Sequence, residues 1–169
     1  LPDFGDSSGS LISPAQEMEL GAAFMRSVRS QTKLINDPEI NGYIEQLGYR
    51  LVASSDAPNY PFTFFVVDNP AVNAFAGPGG YIGIHTGLIL TARNESELAG
   101  VMAHEIAHVT QRHLLRAYES ANQMSLPTAA GMIAAILLGV ATGSTEAGIA
   151  GVSAVQAGNI QRQLNFTRA

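Results

Sequence analysis

Five residues constrain this chain most: His104-Glu105-Ile106-Ala107-His108. The pattern makes chemical sense on an α-helix. There, residues four apart lie one above the other on the same face. Both imidazoles can then reach one cation from one side, at about 2.0–2.1 Å for zinc. Glu105 points about 100° around the helix from His104. It is too offset to share the ion easily, but well placed to touch a reactive water. That is the division of labour of a metallopeptidase: two ligands and one general base.

Three fixed positions alone match many unrelated sequences, and two histidines and a glutamate on a solvated helix face is the plain alternative. The flanking sequence speaks against it. Asn94 with Glu97 three residues on has the form of a capping box, so a helix is expected from about Glu95. Leu98, Met102, Ile106, Val109 and His113 then form one stripe, largely apolar, while Val101, Glu105, His108, Arg112 and Leu115 fall on another. Ala99, Gly100, Ala103 and Ala107 allow close approach by neighbours. Histidines and a carboxylate on a largely buried helix without a partner would be costly. Metal binding answers that cost.

At 169 residues the chain is long enough for one sizeable core. A net charge of -5 gives no support for a nucleic-acid partner. The absence of cysteine excludes disulfides and thiolate zinc sites. The Gly/Ser-rich stretch after Leu1 does not read as a targeting segment.

Ser13-Pro14 reads as the start of a helix carrying Met18, Leu20, Gly21, Phe24, Met25 and Val28. Asp37-Pro38 starts a second, with Ile40, Tyr43, Ile44, Leu47 and Leu51 as its apolar face. Phe62 to Val67 is aromatic and β-branched, hence a strand. Val72 to Ala76 and Tyr81 to His85 form two more, joined as a hairpin by Gly77-Pro78-Gly79-Gly80. Alternation places Tyr81, Gly83 and His85 on one face and Ile82 and Ile84 on the other. Thr86 to Ala92 is a short helix or turn. The expected fold is therefore α+β, mainly helical, with a small sheet beside the metal-binding helix.

The hairpin is the best candidate for a strand edge that pairs with an extended substrate; an ordinary structural hairpin is the alternative. His85 reads as a strand histidine rather than a ligand. The segment Pro127 to Gly158 holds Glu146 as its one charged residue. Its apolar run falls short of the roughly 20 residues a membrane-spanning helix needs. A mobile or membrane-contacting hairpin is favoured over a plain core helix.

A catalytic zinc site takes three protein ligands, and only His104 and His108 are evident. His113 lies about 140° around the helix from His108, and Glu119 about 16 Å along it. Nothing in its surroundings marks Glu146. A third ligand beyond Ala169 is expected, leaving residues 1–169 as a single metallopeptidase domain incomplete at its C-terminus and inactive as it stands.

Asn73-Ala74-Phe75-Ala76, Pro78-Gly79-Gly80, Thr86-Gly87-Leu88 and the run from Asn94 to His113 closely resemble the HtpX-related zinc metallopeptidases, within these most closely the periplasmic BepA branch. The resemblance covers nearly the whole chain. It implies a zincin-like fold of the gluzincin type, with His104 and His108 as zinc ligands, Glu105 as general base, and a glutamate from a later helix as third ligand. It also implies a periplasmic endopeptidase for misfolded or stalled outer-membrane proteins, working beside the outer-membrane assembly machinery. Substrate would lie along Asn73, Ala74, Phe75 and Ala76. A chaperone-like module that holds clients without cutting is the alternative. A purely structural metal site normally shows four protein ligands, and four are not visible.

Overall fold

The helices begin where the sequence sets their caps. The computed structural model describes residues 12–111 and 125–138. Helix α1 spans Pro14–Gln31. The Ser13 hydroxyl accepts from the Gln16 N–H, and the Gln16 side chain accepts from the Ser13 N–H at 2.8 Å. Helix α2 spans Pro38–Ala53, and its Asp37 cap accepts from the Glu39 and Ile40 N–H groups. Strands β1 (Thr63–Val67), β2 (Ala74–Ala76) and β3 (Tyr81–His85) follow, with a tight 3-10 turn at Pro78–Gly80. Helices α3 (Thr86–Thr91), α4 (Glu95–Thr110) and α5 (Leu126–Leu137) complete the described elements.

The strand order is β1-β3-β2. The expected hairpin forms, with β2 antiparallel to β3 and Phe75 opposite Gly83. The last strand inserts between the first two and runs parallel to β1. As the central strand, β3 is buried on both faces. Phe64, Val66, Ala74, Ala76, Ile82 and Ile84 join a core shared with α2 and α4. Phe65, Val67 and Phe75 point the other way, into a core shared with α1 and α5. The alternation read from β3 thus separates two cores.

Gly79 and Gly80 take φ of 75° and 79°, a left-handed conformation that glycine adopts without a Cβ penalty. Gly21 packs against the same turn, where a Cβ would lie 2.8 Å from the Pro78 carbonyl oxygen.

Three positions depart from the predicted apolar stripes. Met18, Ile40 and Tyr43 are exposed. On α1 a buried position goes instead to Glu17, which accepts from the Tyr60 hydroxyl. On α2, Tyr43 donates to Glu95 beside Arg50, tying that helix to the start of α4.

For the described part of the segment expected to be a mobile or membrane-contacting hairpin, the structure shows a helix with one face in the core. Ala129, Ala130, Ile133, Ala134 and Leu137 are buried in the core shared with α1. Ala129, Ala130 and Ala134 let α5 seat closely on α1, so this described part packs as a core helix. Residues 139–158 lie outside the described residues. Among the described residues, no helix is long and apolar enough to cross a membrane.

Candidate metal centre

Helix α4 carries the site, and its start is well fixed. The Asn94 side chain accepts from the Glu97 N–H, and Arg93 pairs with Glu97 at 2.7 Å. Leu98, Val101, Met102 and Ile106 then anchor the helix in the core beneath the sheet. That anchoring sets the rotation of α4. His104 and His108 end up half-buried, and Glu105 is fully buried.

The two histidine Nε2 atoms lie 2.9 Å apart, their rings nearly perpendicular. Tetrahedral zinc bonded at about 2.0–2.1 Å wants two donor atoms about 3.3 Å apart. A small opening of the rings meets that spacing, so the donor pair fits zinc. The ligand atoms of His104, Glu105 and His108 all lie within 4.8 Å of one another, and they are the group of this kind among the described residues.

Burial pushes the Glu105 carboxyl up to about 8, against the pull of the Ala76 backbone N–H. The contact follows from the strand pairing. His85 N–H donates to the Asn73 carbonyl and Gly77 N–H to the Tyr81 carbonyl. Hydrogen-bonded pairs alternate along an antiparallel ladder, so the backbone groups of Ala74 and Ala76 point away from β3. Strand β2 is therefore an outer edge whose polar groups face the same side as Glu105.

The four proposed substrate contacts divide. Ala74, Phe75 and Ala76 are buried as whole residues, backbone included. The Asn73 amide donates to the Leu137 carbonyl at 3.4 Å, next to the end of α5. His85 is buried and stands apart from the metal group, as a strand histidine should. Burial holds it down at about 4, with the Ala71 backbone opposing. His113, Glu119 and Glu146 lie outside the described residues.

Sequence reasoning missed the Ala76 contact to Glu105 and the seat of α5 beside Asn73. One signal was present. Alanines at both 74 and 76 face α4 and let the helix approach the strand closely.

The sequence profile of peptidase family M48 matches residues 38–169. A Vibrio cholerae serotype O1 protein assigned as a beta-barrel assembly-enhancing protease is 50% identical over all of this chain, and 34% of that relative is covered. The beta-barrel assembly-enhancing protease of Escherichia coli strain K12 is 45% identical over 99% of this chain and 34% of its own length. The mitochondrial metalloendopeptidase OMA1 of Schizosaccharomyces pombe is 34% identical over 42% of this chain and 21% of its own. The chain thus spans about a third of the length of the first two relatives. A profile match across most of the chain, and identity to those relatives along nearly all of it, agree with the histidine pair on α4: this chain belongs to peptidase family M48.

Proposed function

We propose that this chain is the metal-bearing domain of a zinc-dependent endopeptidase that cleaves misfolded or stalled outer-membrane proteins in the periplasm. The observation that carries the reading is the pair of Nε2 atoms 2.9 Å apart beside a fully buried glutamate. The beta-barrel assembly-enhancing relatives support the substrate class and a place beside the outer-membrane assembly machinery.

In this reading His104 and His108 hold zinc, with a third ligand from outside the described residues. When bound, zinc supplies a Lewis acid that polarises a scissile carbonyl and makes water more acidic. Glu105 takes the proton from the attacking water and passes it to the leaving amine. Glu105 must be ionised to start, and a neighbouring positive charge lowers its pKa from the value that burial imposes. Substrate lies extended along the outer edge of β2, where the ladder phase turns the Ala74 and Ala76 backbone groups away from β3. The Ala74 and Ala76 side chains, turned into the core, keep that edge flat against α4.

The test is cleavage of an unfolded outer-membrane β-barrel protein by the full-length protein and by Glu105→Gln. Lost cleavage with retained zinc is the expected result. Undiminished function in the variant would overturn the proposal and favour a holding role without hydrolysis.

A further inference from the structure

We infer that Ala76 is a positioning residue, whose outward backbone N–H holds the Glu105 carboxylate in place at the edge of β2. The inference rests on the reading of Glu105 as general base, and adds what keeps that base aimed.

The geometry leads there in three steps. The Gly77–Tyr81 and Asn73–His85 hydrogen bonds fix the ladder phase, so the Ala76 N–H faces away from β3. No further strand pairs with that side of β2 among the described residues. Yet Ala76 is 5% exposed, so its N–H needs a protein partner in place of water. Glu105, fully buried on the helix that packs against β2, accepts the Ala76 backbone hydrogen bond. The alanine side chain matters for the same reason. It points into the core shared with α4, and a larger one would push the helix and its carboxylate away.

The arrangement has a consequence for specificity. An edge strand normally offers every outward donor and acceptor to an incoming chain. Here one donor is already engaged by the base. An incoming chain cannot take the Ala76 N–H while Glu105 holds it.

Amide hydrogen exchange, followed by NMR on this chain, tests the inference without any turnover. Glu105→Gln keeps an acceptor at the same reach. Glu105→Met keeps the volume and removes the acceptor. Ala76 should exchange about tenfold faster in the Met variant and at the wild-type rate in the Gln variant, the size expected for one lost hydrogen bond. The Gly77 amide, bonded to Tyr81 at 2.7 Å, reports whether the hairpin is intact in each protein. Wild-type exchange at Ala76 in the Met variant, with Gly77 protected, overturns the inference. So does fast exchange at Ala76 in both variants. Peptide cleavage by the Gln variant would instead strike at the role of Glu105 as base, a separate failure.

Discussion

As the proposed general base, Glu105 combines two demands that oppose each other. A general base must be ionised, yet burial at this position favours the protonated acid and lifts its pKa to about 8. The Gln side chain imitates the neutral acid in shape and polarity. Glu105→Gln should therefore fold, keep zinc, and match or exceed the wild-type melting temperature without metal. Its kcat should fall by about 10²–10⁴, the range general-base catalysis supplies. Calorimetry together with peptide-cleavage rates checks both halves. A variant that melts well below wild type would mean that Glu105 is an ionised structural anchor. The candidate metal ligands were legible in the sequence because spacing alone fixes which side chains share a helical face. The Ala76 contact was not, because it depends on the phase of a ladder and on how closely two elements approach.

At the level of elements, the sequence revealed those that carry their own local signal. Ser13, Asp37 and Asn94 each cap a helix through a side chain three residues or fewer from its partner. The order of the sheet had no such signal, since β3 inserts between two earlier strands. The exposure of Met18 has the same origin. Its stripe is apolar by sequence, but Tyr60 arrives from a distant loop to bind Glu17 instead. Two glycines separate local from tertiary control. A Cβ at Gly100, inside α4, would meet nothing within 4 Å. Gly100→Ala should stabilise the chain by about 0.5–1 kcal/mol through helix propensity and a less free unfolded state. Gly80 has φ of 79° and faces the Pro61 carbonyl, so Gly80→Ala should cost at least about 2 kcal/mol. Urea unfolding of the pair checks both signs; a stabilised Gly80→Ala would contradict the account of the turn.

At the scale of the whole molecule, two buried groups among the described residues respond to pH with opposite signs. His85 is held at about 4 against an ordinary 6.5. Between these values the unfolded chain binds the extra proton, so stability falls as pH drops through the window. Glu105 stays protonated in the folded chain up to about 8, against an ordinary 4.5, so stability falls as pH rises through its window. From 4.5 to 6.5 the two slopes oppose. Above 6.5 the His85 slope ends, and the Glu105 contribution to the metal-free chain should fall by up to about 1.4 kcal/mol per pH unit until about 8. Denaturant unfolding across that range should show a decline in wild type that is shallower in Glu105→Gln. An equal decline in both would place the slope on another group. The central claim, that the histidine pair of α4 holds a metal, belongs to this scale too, because binding to the folded chain alone raises its stability. The most direct measurement is calorimetric titration of this chain with zinc, beside His104→Ala and His108→Ala. A single zinc per wild-type chain, with affinity at least tenfold weaker in each variant, is the predicted result. Equal affinity in all three proteins would contradict it.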